Sequence, residues 1–173
     1  IRATSVDNDT LYAECTVNVV EHLNHCVCGV EECELEDHEC ESVTWMKWTD
    51  ATKLPEVSGN YYLSCDVNLG TVQYMPPANT VVKLCLNGHK ITTSVARRVL
   101  SMHNAGVKMT MTDCSEEETG AVVVPEGSSA GNQGAAVWVR PVAGAEFTLY
   151  RGTLDASKFT STNQNGAAVQ VES

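Results

Sequence analysis

From residue 61 onward, apolar residues fall in short runs with a period of two, separated by turns rich in Gly, Asn and Ser. "YYLSCDVNL" (61–69) puts Tyr61, Leu63, Cys65, Val67 and Leu69 on one face. "VVKLCLNGHKI" (81–91) puts Val82, Leu84 and Leu86 inward, with Lys83 and Cys85 outward. "VKMTMTDC" (107–114) and "FTLYRGTL" (147–154) follow the same scheme. Such alternation marks half-buried strands. No amphipathic helical stretch intervenes, which argues against a βαβ arrangement. Upstream, "ATSVDNDTLYAECTVNVV" (3–20) reads as a hairpin, in which Ala13, Cys15, Val17 and Val19 alternate with polar residues after a "DND" turn.

The runs also repeat. "QGAAVWV" (133–139) returns as "NGAAVQV" (165–171), 32 residues on, and "AGVKMTM" (105–111) matches "AGAEFTL" (143–149), 38 residues on. "NGHKI" (87–91) has a counterpart in "RGTL" (151–154). Short strands that repeat at this spacing without helices describe a chain coiling on itself, each coil pairing its backbone with the next around one inner stripe. The expected architecture is therefore all-β, a parallel β-helix; a β-sandwich is the alternative, though it has no need of similar coils. The chain divides into a hairpin at 1–20, a loop and connector at 21–60, and coils over 61–173. In the connector, Trp45 and Trp48 are expected to pack on the end of the coils rather than to form a sugar-stacking platform. A start on Ile1 is expected of an excised or processed piece, and a last coil reaching Ser173 without a polar cap is expected of a truncated stack.

Charge sharpens this division. The net charge of −11 sits almost wholly in residues 1–50, where twelve acids face only Arg2 and Lys47; residues 51–173 carry ten acids and nine bases. Local acidity of this kind argues against a nucleic-acid partner. No run of eighteen apolar residues occurs, so no segment of this sequence is expected to insert in a membrane. Eight cysteines in 173 residues favour an exported protein or a metal binder.

Four of those cysteines lie in "HCVCGVEECELEDHEC" (25–40), in the order Cys26-x-Cys28-x4-Cys33-x4-His38-x-Cys40. Zinc takes four thiolate or imidazole donors from loops of this sort. Cys26, Cys28, Cys33 and His38 are the expected ligands, with Cys40 and His25 in reserve. Four protein donors leave no position for water, so the ion would be structural, standing in for the core this loop lacks. Cys-x-Cys is too short a ring to bond readily to itself, but Cys28–Cys33 and Cys33–Cys40 disulfides stay open. The seven acids from Glu31 to Glu41 lack the calcium-loop pattern and read as a solvated face. Elsewhere, Cys65 reads as core, Cys85 and Cys114 as either a disulfide or two thiols in neighbouring coils, and His89 and His103 as turn residues.

"HCVCG", "TWMKW", "LPEVSGNYYLSCDVNL", "VVKLCLNGHKI", "MTMTDCS" and the "GAAVWV" coils, in this order, resemble a family of large cell-surface proteins of anaerobic gut bacteria. The resemblance covers nearly the whole chain. It implies the last hairpin of a bacterial Ig-like domain at 1–20, a Cys/His zinc loop, and then a right-handed parallel β-helix. It also implies an extracellular place, at the cell surface or secreted, and a host protein, immunoglobulin among them, as partner. The expected function is a non-enzymatic binding module that contacts its ligand through outward side chains such as Tyr74, Trp138, Arg140, Tyr150 and Arg151. Two alternatives stand beside it. One is a polysaccharide lyase or glycosidase fragment acting on glycans, for which Arg97, Arg98, Lys108, Asp113, Arg140 and Arg151 supply residue types. Asp113 reads better as a turn-former, and Arg151 takes its place on the next coil. The other alternative is a stalk that only spaces other domains.

Overall fold

In a computed structural model of the chain, the described residues are 2–4, 12–14, 25–30, 42–127, 134–140, 144–160 and 167–172. The polar-interrupted start of the chain makes two small antiparallel pairs. β1 (Arg2–Thr4) runs against β2 (Tyr12–Glu14) with Ala3 opposite Ala13, as the hairpin pattern predicts, and β3 (His25–Cys26) runs against β4 (Ser42–Val43). Cys15 and the rest of the hairpin lie outside the described residues.

Every later pairing among the described residues is parallel. The strands are β5 (Met46–Trp48), β6 (Gly59–Leu63), β7 (Val67–Asn68), β8 (Val81–Cys85), β9 (Lys90–Thr92) and β10 (Leu100–Met102). They continue as β11 (Lys108–Thr112), β12 (Ala121–Val123), β13 (Ala135–Val139), β14 (Glu146–Leu149), β15 (Thr153–Asp155) and β16 (Ala167–Val171). These form three sheets, ordered β5-β6-β8-β11-β14, β7-β9-β12-β15 and β10-β13-β16, and a bridge from Tyr74 to Leu100 extends the third. From β8 onward the chain visits the three sheets in rotation, so each strand pairs with the one a coil later. The repeats are the register: Ala135 pairs with Ala167 and Lys108 with Glu146. The third repeat is looser, since Ile91 and Leu154 share a ladder with Val122 between them. No helix occurs among the described residues.

Parallel pairing in fixed register puts like residues on top of one another. Tyr61, Leu84, Met111 and Leu149 form one inner stack, and Val67, Ile91, Val122 and Leu154 a second. Tyr74, Leu100, Val137 and Val169 form the third. In the middle coils these side chains are wholly buried, each contributing about 1.5–3 kcal/mol. On the edge strand β16, Val169 is left 46% exposed.

The stacking starts before residue 61. β5 lies on β6, the Asn68 amide donates to the Ala51 carbonyl (2.8 Å), and Leu54 is buried in the core. Trp48 packs edge-on against Tyr61, with ring centroids 5.6 Å apart, and donates its Nε1–H to the Lys53 carbonyl at 2.8 Å. Cys65 departs from its expected core position and is half-buried. β6 stops at Leu63, the alternation is lost in the corner that follows, and the thiol lies 3.7 Å from the Thr49 carbonyl.

Polar side chains hold the corners. Asn87, at φ 50°, donates its Nδ2–H to the Leu63 carbonyl one coil back at 3.0 Å. Asp113 is fully buried and accepts from four donors: the Gly88 amide (2.8 Å), the Gly120 amide (2.7 Å), the Ser115 amide (3.2 Å) and the Ser115 hydroxyl (2.8 Å). It is the turn-former that its place in "TDC" predicts. Asp113→Ala, which strands the Gly88 and Gly120 amides, is expected to cost more than about 3 kcal/mol in urea denaturation. Leu84→Ala is expected to cost about 2–5 kcal/mol through the cavity it leaves. Amide exchange separates the two: only the Asp113 variant should selectively accelerate Gly88 and Gly120.

Candidate metal centre

The Cys/His loop is built from its own backbone and then pressed onto the coils. Within 25–30, the Gly29 amide donates to the Cys26 carbonyl (2.9 Å) and the Cys26 amide to the Val30 carbonyl (3.2 Å), a tight reversal between β3 and β4. Gly29 sits at φ +89°, and a Cβ there would lie 2.4 Å from Thr112 Oγ1 and 2.7 Å from the Asp113 carbonyl oxygen. Only glycine fits this conformation and this approach. Arg151 reaches back to donate to the Gly29 carbonyl (3.4 Å) and pairs with Glu118. From the connector, the Trp45 ring stacks on His25 at 4.6 Å and its Nε1–H donates to the His25 carbonyl at 3.2 Å. Both tryptophans of the connector are thus packed.

Docking brings three donors together. Cys85 ends β8, Cys114 follows β11, and their Sγ atoms stand 3.0 Å apart. A ring nitrogen of His25 joins them, the three ligand atoms all lying within 4.8 Å of one another. Cys85 is fully buried, His25 is 5% exposed and Cys114 is half-buried. His25 Nδ1 lies 2.6 Å from the Cys26 carbonyl, which can only accept, so Nδ1 carries a proton and Nε2 is the ring nitrogen that a metal would take. A ring nitrogen tied to a backbone carbonyl, which orients the other toward the ion, is the usual arrangement of a metal-binding histidine. Burial pulls the His25 pKa down, but its bonds to Cys114 and the Cys26 carbonyl outweigh this and leave it above the ordinary value. The hydrogen bond with Cys114, reinforced by burial, pushes the Cys85 thiol far up.

The three residues are a donor set able to hold a metal ion. Two thiolates on a tetrahedral ion stand about 3.8 Å apart and a disulfide needs about 2.05 Å, so a shift of about 1 Å or less from the observed separation serves either. Of the ligands expected from sequence, Cys26 and Cys28 are both buried on this loop. Cys33, His38 and Cys40 lie outside the described residues. Cys85 corrects its outward assignment: the parity is right, but the docked loop covers the end of β8 and leaves the thiol no exposure. The sequence did carry a signal for this, an outward cysteine on one coil and another cysteine one coil later.

Two expected contact residues are also corrected. Tyr74 is buried in the inner stack of the third sheet, donating its hydroxyl to the Pro55 carbonyl. Trp138 is 7% exposed because the Arg98 guanidinium lies 3.5 Å over its ring and His103 packs beside it at 5.2 Å. Arg140 is exposed, whereas Tyr150 and Arg151 are half-buried. Among the residues considered for polysaccharide chemistry, Asp113 has both carboxylate oxygens engaged by corner donors.

Gly29→Ala is expected to lift the loop from Thr112 and open the cover over Cys85. Under native conditions, the reaction of Cys85 with a thiol reagent should accelerate by about tenfold or more, as local opening becomes cheaper. An unchanged rate would show that the loop does not shield the thiol. No protein-family model, curated protein or solved structure matches this chain, so the meaning of the centre rests on its own chemistry.

Proposed function

We propose that the chain is part of a bacterial cell-surface protein of the gut-anaerobe type, and that its coils are a right-handed parallel β-helix acting as a non-enzymatic binding module outside the cell. Its ligand is a host protein, with immunoglobulin the specific case. The Cys/His segment carries a structural zinc ion, and the hairpin at its start is the end of an Ig-like domain. The observation that supports a binding role most directly is the rotation of the chain through three parallel sheets over one buried stripe. Such a stack is stiff and presents regular ladders of outward side chains, a preorganised surface that loses little freedom on binding.

With Trp138 and Tyr74 buried, the contact side chains left from the expected set are Arg140, Tyr150 and Arg151. Arg140 is the exposed one and follows β13 directly. Immobilised chain is expected to retain purified immunoglobulin from solution, and Arg140→Ala to weaken retention by about tenfold, a typical contact loss. If immunoglobulin and other host serum and mucus proteins all pass through, the binding role fails. Release of reducing sugar from an acidic polysaccharide would then favour the glycan-cleaving alternative, and no release the stalk.

A further inference from the structure

The zinc set expected from sequence is self-contained, with every donor between Cys26 and His38. The described cluster is not. One donor, His25, comes from the loop; the other two, Cys85 and Cys114, come from adjacent coils of the first sheet. Resting on the zinc reading above, we propose that His25, Cys85 and Cys114 hold one zinc ion between them, and that this ion clamps the Cys/His loop to the coils.

Three features carry the assignment. The donors are two sulfurs and one imidazole nitrogen, the soft and borderline set that zinc prefers over calcium or magnesium. The bond of His25 Nδ1 to the Cys26 carbonyl orients the ring, so that Nε2 is the nitrogen that would ligate the ion. The site is enclosed on the loop side: the Gly29 turn closes over Thr112, the Trp45 ring covers His25, and Arg151 grips the Gly29 carbonyl. A disulfide between Cys85 and Cys114 would use the two sulfurs and leave the His25 ring nitrogen beside them outside the bond. Binding displaces one proton from each thiol, and the two thiolates offset the charge of the ion. Cys26 and Cys28, both buried on the same loop, are the donors at hand for the fourth position.

The clamp has a mechanical consequence. Without the ion, the contacts on the loop include the Gly29 approach, the Trp45 stack, the His25–Cys114 hydrogen bond and the bond from Arg151, none of them a metal–ligand bond. With it, the loop and two successive coils share one centre, so separating them requires breaking metal–ligand bonds.

The test uses the full chain, purified under reducing conditions and titrated with Zn²⁺ alone, with Co²⁺ as the spectroscopic probe. One zinc per chain is expected, with thiolate-to-cobalt charge transfer in the cobalt form. Cys85→Ser, Cys114→Ser and His25→Ala should each weaken zinc by more than about 100-fold, beyond the loss that an outer partner of a metal ligand causes. His25→Cys restores a donor and should recover binding with stronger charge transfer, a rescue that a purely structural histidine would not show. Cys65→Ser, outside the cluster, should bind as the parent does. Circular dichroism of each variant identifies any that fails to fold, and the His25→Cys rescue then decides. The clamp is overturned if Cys85→Ser and Cys114→Ser keep zinc at the parent affinity, in which case the ion is held by the loop alone and the zinc reading survives. It is also overturned if zinc-loaded protein contains a Cys85–Cys114 disulfide. Failure of the parent to bind any zinc sinks both the clamp and the reading beneath it.

Discussion

Backbone hydrogen bonding between successive coils is the constraint on which the rest of this structure depends. Parallel partners stand about 4.8 Å apart, and that spacing leaves no freedom in what lies above what. Once Lys83 is paired with Thr110, Leu84 must sit on Met111 and Cys85 beside Thr112. The inner stripe is then buried by repetition, and its burial is continuous through all three sheets. The corners, where the chain leaves one sheet for the next, are where the ladder lapses and side chains must replace it. Asn87 and Asp113 do so by bonding backbone groups of a neighbouring coil or turn, which is why each is polar.

The same stacking acts on the outward side chains, with a different result. A residue that points out of a coil is not thereby exposed, because neighbouring segments lie across the outer faces. Trp138 points out of the third sheet and is covered by Arg98, whose guanidinium also reaches Gln170 Oε1 at 3.1 Å. Burial lowers the pKa of that guanidinium, opposed by the nearby Glu172 carboxylate, while the ring below it supplies a favourable face for the cation. Cys85 points out of the first sheet and is covered by the loop at 25–30. Stacking outside as well as inside therefore makes two enclosed polar clusters, one aromatic and cationic, the other built of sulfur and imidazole.

These clusters differ in what they ask of the chain. Arg98, His103 and Trp138 all belong to the coils, so their meeting follows from register once the third sheet forms. The His25, Cys85 and Cys114 cluster joins the loop to two paired coils, and no register connects the loop to them. It depends on the Gly29 turn approaching Thr112 more closely than any side chain would allow. A short acidic loop has little apolar surface to bury, and only a close, specific seat can hold it in place.

The period-two alternation from residue 61 and the repeats at 32 and 38 residues determined the strands, their parallel pairing and the register, because in a stacked coil the repeat length is the pairing shift. Asp113 as a corner residue, and Trp48 as part of the closing layer, were equally legible, since both roles follow from local turns and adjacent strands. Local pattern could say that Cys85 and Trp138 point outward, but not what covers them, and it placed Cys65 in the core because it could not see where β6 ends. The pairing of His25 with two cysteines sixty and more residues away was decided only by tertiary structure. Alternation along a strand reports the direction of a side chain, whereas its surroundings are set by which distant segment comes to rest upon it.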